Sequence, residues 1–223
     1  MLNKGILEIN KLNKEFYEKH ADSFDRSREF YWEVFEDTLN YIKNDTKILD
    51  LGCGNARFYK FLEENQIKTN YFGVDNNDKF ISNNKDKYPN ANFGLIDLFE
   101  GLTEIKEKFD LVTVFGVTHH LPNKEFRKQW FLQLANLVET NGILILSFWN
   151  FDKTKNDEKF ETKDYIKENG DYFLGWKGDY SVHRYCHEYS QQEFQEIKNI
   201  LNNFLLLDEY SKEDNKYLIF QKK

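Results

Sequence analysis

From Leu7 to Lys43 the apolar residues Phe16, Phe24, Phe30, Val34, Phe35, Leu39 and Ile42 recur at mostly helical spacing, with a break around Asp22 to Ser27. That pattern predicts two helices and a joint. From Lys47 the period changes: Lys47-Ile48-Leu49-Asp50-Leu51 is a short apolar run ending in glycines, and Phe58, Tyr59, Phe61 and Leu62 behind it share a helical face. A strand, a turn and a helix follow from it. The alternation then repeats, with strands expected at Tyr71 to Asp75, Ala91 to Leu98, Phe109 to Gly116 and Gly142 to Trp149, and helices at Asp78 to Tyr88 and Lys124 to Val138.

Strands alternating with helices pair in parallel through crossovers, which makes a sheet covered on both faces. After Trp149 the pattern changes. Asp152 to Asn169 is rich in charge with no convincing buried run, and reads as an insertion that could serve as a lid. Tyr172 to Trp176 and Val182 to His187 alternate around Gly178, which suggests a hairpin. Gln191 to Leu201 reads as a helix, and Phe204 to Tyr210 and Lys216 to Gln221 as strands joined by a link too short for a parallel crossover. The expected fold is α/β, a doubly wound, mostly parallel seven-stranded sheet ending in an antiparallel hairpin, with N-terminal helices and an inserted β-hairpin. One domain is expected over 1–223: an N-terminal helical cap (1–45), a cofactor-binding core (46–150), an insertion and hairpin over the active site (151–189), and a C-terminal helix with antiparallel strands (190–223).

Composition narrows the setting. Of 223 residues, 40% are hydrophobic and 17% aromatic, so there is bulk to bury and disorder is not expected. The net charge of −7 argues against a sequence-independent nucleic-acid coat, which depends on many Lys and Arg contacts. No run approaches the roughly 18 apolar residues of a membrane span, and the N-terminus lacks the apolar core of a secretion signal. No membrane association and a cytoplasmic location are expected. With only Cys53 and Cys186 present, neither a disulfide framework nor a CxxC zinc site is available, and no metal is expected.

The candidate chemistry begins at the end of the first expected strand. Gly52 and Gly54 in Asp50-Leu51-Gly52-Cys53-Gly54 let backbone approach a ligand closely. Asp75, about twenty residues on, stands where doubly wound folds hydrogen-bond a ribose. Both fit an adenosine. Three details favour S-adenosylmethionine over a dinucleotide. Arg57 stands where the third glycine of G-x-G-x-x-G would be. Asp50, just before the glycines, would repel a pyrophosphate but suits a cationic ligand. Asp97 and Leu98, after the third strand, are placed to accept from the adenine amine and to flank the ring. Asn76 and Phe115, beside two of these strand ends, complete the expected cofactor set.

Three blocks carry a more specific resemblance: Phe24-Asp25-Arg26-Ser27-Arg28-Glu29-Phe30-Tyr31-Trp32, Gly116-Val117-Thr118-His119-His120-Leu121, and His183-Arg184-Tyr185-Cys186-His187 preceded by Trp176. With the cofactor motifs, the chain resembles class I S-adenosylmethionine-dependent methyltransferases, and within them the tRNA wobble-uridine carboxymethyl methyltransferases, which esterify a carboxylate in an anticodon loop. The resemblance spans about Tyr17 to Phe194. It departs from the family at Ser27 and Cys186 and has no counterpart over Phe151 to Tyr172. It implies a tRNA anticodon loop as substrate and, as in eukaryotic and archaeal relatives, a small zinc-binding activator subunit, for which the edge strand at Ala91 to Leu98 would be the place to look.

The chain holds five arginines, Arg26, Arg28, Arg57, Arg127 and Arg184, and two of them, Arg28 and Arg184, fall in these blocks. In a lysine-rich chain the planar guanidinium fork suggests recognition of a carboxylate or phosphate. The expected catalytic set is Arg28, His119, Arg184 and His187. A carboxylate acceptor, already ionised at neutral pH, needs positioning and no base. A hydroxyl or amine acceptor would need one, with His119 or His120 as candidate. Two alternatives stand beside the tRNA reading: a small-molecule carboxyl, O- or N-methyltransferase, and an inactive S-adenosylmethionine-binding partner module.

Overall fold

The computed structural model describes residues 4–28, 30–150 and 169–223. Strands β1 (Lys47–Leu51), β2 (Asn70–Asp75), β3 (Asn92–Leu95), β4 (Phe109–Val114), β5 (Val138–Trp149), β8 (Phe204–Lys212) and β9 (Asn215–Lys222) form one sheet in the order β3-β2-β1-β4-β5-β9-β8. β1 to β5 pair in parallel; β9 runs antiparallel to both β5 and β8. Strands β6 (Asp171–Trp176) and β7 (Asp179–His187) make a separate antiparallel hairpin. Trp176 pairs with Asp179, and the two residues between them, Lys177 and Gly178, both have positive φ, as a tight twisted hairpin turn demands.

The strand period decides which side chain meets which layer. Leu49, Leu51, Val112, Val114, Leu144 and Leu146 pack on one face against Trp130, Phe131 and Leu134 of α5 (Lys124–Asn136). Ile48, Leu111, Ile143 and Ile145 pack on the other face with Phe58, Phe61 and Leu62 of α3 (Arg57–Glu64) and Val34 and Phe35 of α2 (Val34–Thr38). Helix α4 (Asp78–Lys87) follows β2 and is capped by Asn77, whose side chain accepts the Phe80 amide.

Two expectations at the N-terminus are corrected. The first helix, α1 (Lys4–Arg26), runs through the expected break, which falls instead between Ser27 and Glu33. Phe30, counted in the helical spacing, lies in that connection and is 84% exposed. The lid reading of Asp152 to Asn169 lies, apart from Asn169, outside the described residues.

His187, expected at the active site, is fully buried away from it. Its Nδ1 donates to Asp171 at 2.6 Å and its Nε2 to Glu193 at 2.9 Å. Arg127 also donates to Glu193, and the Tyr185 hydroxyl to Asp171. Glu193 belongs to the capping box of α6 (Gln191–Ile200), so His187 ties the β6–β7 hairpin to that helix. Burial alone would lower the His187 pKa, but the two carboxylate hydrogen bonds outweigh it and raise it above the ordinary value. A raised folded pKa gives stability fully present below the unfolded value, about 6.5, and lost as pH rises through the folded one. Chemical denaturation of wild type and His187→Gln should therefore differ most near pH 6, with the gap narrowing at pH 9.

Candidate active site

The parallel strands leave a crevice at the ends of β1 and β4, where the strand order reverses. A cavity of about 700 Å³ opens there, within the usual ~300–1,000 Å³ range of small-molecule sites. Its walls come from α1, the connection after it, the loops after β1, β2 and β4, and the β6–β7 hairpin.

The floor is built by register. Asp50 sits opposite Thr113 on β4, and Tyr71 lies two positions back on β2, so all three share the α2–α3 face. The buried Asp50 carboxylate accepts the Tyr71 hydroxyl at 2.6 Å and the Thr113 hydroxyl at 2.9 Å. Burial raises its pKa to about 6 despite these bonds. Asp50 thus holds the floor of the loop while lining the cavity.

Above it, the Gly52 and Cys53 amides donate to the Val74 carbonyl, and Gly52 adopts φ +75°. A Cβ on Gly52 would lie 2.2 Å from Val117 Cγ2, so only glycine fits. A Cβ on Gly54 would meet nothing within 4 Å, which marks open space over the loop. The Gly54 amide donates to Asp75 Oδ2 and the Asn77 amide to Oδ1, each at 2.9 Å. Asp75 is thereby aimed into the cavity beside Asn76 with lone pairs to spare. Arg57, in the third-glycine position, lies over the rings of Trp32 and Phe35 and donates to the Phe30 carbonyl, which fastens the connection between α1 and α2.

Leu98 and Phe115 line the cavity, but Asp97 does not. Its Oδ2 accepts Asn10 Nδ2 at 2.7 Å and Lys14 Nζ at 2.6 Å, and its Oδ1 accepts the Phe99 amide. The residue expected to take the adenine amine is covered by α1.

At the other end, Arg28, His119 and Arg184 come together as the sequence blocks suggested, with Trp32 and Trp176 beside them. Arg184 is 6% exposed, and its guanidinium lies 5.0 to 5.4 Å from the ring centres of Phe16, Trp149 and Trp176. Its Nη1 donates to the Tyr17 hydroxyl at 3.4 Å, and its Nε has no partner. Arg28 lies over the Phe24 ring. No carboxylate among the described residues forms an ion pair with either arginine.

The histidines are wired differently from one another. His120 Nδ1 faces the Tyr185 carbonyl, which only accepts, so Nδ1 carries the proton and the Tyr17 hydroxyl donates to the bare Nε2 at 2.8 Å. Burial, then the charge of Arg184, lowers the His120 pKa to about 3. His119 is lowered well below the usual value by burial, His120 and the two arginines, and its Nδ1 is buried without a partner. Both rings are neutral at pH 7. Nitrogen and sulfur atoms of His119, His120 and Cys186 lie within 4.8 Å of one another. Both His120 nitrogens are engaged, and burial raises the Cys186 pKa to about 11 against the pull of Arg184, so this donor set favours hydrogen bonding over metal ligation.

Tyr17, Asn10 and Asn13 are site residues the sequence reading missed. Their signal was present: Asn10 and Asn13 are polar residues on the buried face of α1, in line with Ile6, Ile9 and Phe16. Among the described residues no helix is long and apolar enough to cross a membrane.

Comparison with known proteins agrees with this geometry. The family profile described as a methyltransferase domain matches residues 21–199. A protein of Encephalitozoon cuniculi named as a methyltransferase is 26% identical over 211 residues, covering 93% of each chain. The structure resembles the Burkholderia thailandensis 1,6-didemethyltoxoflavin N1-methyltransferase with bound S-adenosylhomocysteine (TM-score 0.69, 12% identity, 100% of this chain and 92% of that one). It also resembles the S-adenosylmethionine-bound amino pentose methyltransferase of Micromonospora echinaspora (TM-score 0.60, 14% identity, 91% and 96%). The open space above Gly54, the aimed Asp75 carboxylate and the unpartnered buried polar atoms fit that cofactor. The chain belongs to the methyltransferase-domain family and is an S-adenosylmethionine-dependent methyltransferase.

Proposed function

We propose that this enzyme methylates a carboxylate, with a small organic acid as acceptor held by Arg28 and Arg184. The observation that carries the reading is the buried Arg184 guanidinium, which has no carboxylate partner among the described residues. Leaving a charge unpaired in the interior costs several kcal/mol. Stacking on aromatic rings returns about 0.5–2 kcal/mol per contact, and the Tyr17 contact is long. A ligand anion completes the pairing, and the fork of Arg184 suits the two oxygens of a carboxylate.

The neutral histidines support the same reading. S-adenosylmethionine, when bound, supplies an electrophilic methyl group, and the chain must then present a nucleophile. A carboxylate is ionised at pH 7 and needs no base, whereas His119 and His120, with pKa values this low, are poor bases for a hydroxyl or amine. Arg28 and Arg184 orient the acceptor, and His119 contributes a polar contact through Nδ1. Trp149 and Trp176 exclude water from the reacting end. His119→Ala should lower kcat/KM by about tenfold, the scale of one hydrogen bond, without removing a limb from the pH-rate profile between pH 6 and 8.

The enclosing walls from α1 and the hairpin favour a small acceptor, as do the 1,6-didemethyltoxoflavin and amino pentose named for two structural relatives. A second source of the same chemistry is the carboxymethyl group of a tRNA wobble uridine. In its favour, Arg28 and Trp32 from one sequence block and Trp176 and Arg184 from another line one cavity. Methyl-labelled cofactor incubated in parallel with a small-metabolite extract and with total tRNA separates the sources. Label in organic acids is expected; label in tRNA identifies the second source, and label confined to acceptors without a carboxyl group overturns the proposal.

A further inference from the structure

Helix α1 presents two buried asparagines to the cavity, and hydrogen-bond chemistry fixes which way each amide points. Asn10 is 3% exposed, and its neighbour Asp97 is a carboxylate that only accepts, so the atom 2.7 Å from Asp97 Oδ2 is the amide nitrogen. Asn10 Oδ1 is left buried without a partner. Asn13, one turn on and 5% exposed, accepts the Tyr185 amide through Oδ1 at 2.7 Å, which leaves its Nδ2 unpartnered. An orphaned buried amide atom costs about 1–3 kcal/mol, and native interiors hold few of them. Two on one helix face, both lining the same cavity, indicate a polar ligand along α1.

From this we infer that Asn10, on α1, reads the adenine amino group of the cofactor, in place of Asp97. Asn10 stands at the adenine end, since its partner Asp97 directly precedes Leu98 and Phe99 in the cavity wall. The exocyclic amine of adenine donates hydrogen bonds, so it calls for an acceptor. Asp97 does not line the cavity, whereas Asn10 does; Asp97 Oδ2 accepts Asn10 and Lys14 beneath α1, and Oδ1 accepts the Phe99 amide. Asn10 Oδ1 is a buried acceptor without a partner, on a residue that lines the same cavity as Leu98. Asp97 and Lys14 act behind it as positioning residues, holding the amide so that oxygen rather than nitrogen faces the ligand. The contact makes the N-terminal helix part of cofactor recognition, whatever the acceptor.

Binding of S-adenosylhomocysteine and S-inosylhomocysteine, measured by calorimetry, tests it. The inosyl compound carries a carbonyl oxygen in place of the amine, so it would set acceptor against acceptor at Asn10. Wild type should prefer the adenosyl compound by about 100-fold, the discrimination expected of a buried polar pair. In Asn10→Ala, where Lys14 and the Phe99 amide still hold Asp97, the preference should fall below about tenfold. In Asp97→Asn, where the new amide oxygen can still accept from Asn10, it should largely survive. The preference is a ratio of two affinities on folded protein, so partial unfolding of a variant does not imitate the result. Equal binding of both compounds by wild type, or a full preference retained in Asn10→Ala, overturns the inference.

Discussion

Replacing Arg184 with methionine should lower kcat/KM by at least about 100-fold while leaving cofactor affinity within about threefold. Removing one partner of a buried, hydrogen-bonded charge pair costs roughly 2–5 kcal/mol, and each 1.4 kcal/mol is tenfold. Methionine keeps most of the apolar contact with Phe16, Trp149 and Trp176 but removes the fork. Cofactor affinity is spared because Arg184 lies on the hairpin, away from the glycine loop. Arg184→Lys should recover only part of the activity, since an ammonium keeps the charge without the bidentate geometry. Single-turnover kinetics with separate titration of the cofactor distinguishes these effects. A variant with normal kcat/KM would remove the arginine from acceptor binding.

Asp75→Ala should weaken S-adenosylmethionine binding by about 100-fold or more, because two losses coincide. The Gly54 and Asn77 amides lose their acceptor, at about 1–3 kcal/mol for each if it stays buried, and the loop loses its hold on Gly54. The carboxylate expected to meet the ribose hydroxyls is lost as well. Asp75→Asn keeps one acceptor oxygen and should fall between. Burial raises the Asp75 pKa above the usual carboxylate value, although the amide bonds oppose it. Binding should therefore weaken, as pH falls, sooner than an exposed aspartate would predict. Calorimetric titration from pH 8 down to pH 5 measures both effects, and Arg184→Met serves as a control with unchanged affinity.

The strand half of the fold was legible because its signals are local. Ile48 to Leu51 alternate between two buried faces, and Gly52 and Gly54 end the strand where backbone must turn with positive φ. Asp75 was legible for the same reason: its strand end fixes its direction. Asp97 and His187 were misplaced because their partners come from distant segments. Asp97 is covered by α1, 87 positions earlier at Asn10, and the periodicity of a helix does not say where it will dock. His187 looked like a motif residue, yet alternation on β7 and the arrival of α6 put it among Asp171 and Glu193. Phe30 failed differently, since its apolar side chain fits the helical spacing but falls in the connection after α1, where Arg57 holds the backbone and the ring faces out. The asparagines of α1 show the converse: polar residues on an apolar helix face were visible, and only the packed structure gave them a cavity to face.

The most direct test of the central claim is the chemistry of the product bond. Product made from methyl-labelled cofactor should release its label as volatile methanol on mild alkaline treatment, because a methyl ester hydrolyses under conditions that leave N-methyl, C-methyl and ether O-methyl groups intact. Release of nearly all the label is the predicted result. Label that stays in the non-volatile product would contradict the carboxylate assignment, and with it the reading of Arg28 and Arg184 as the acceptor's anion site.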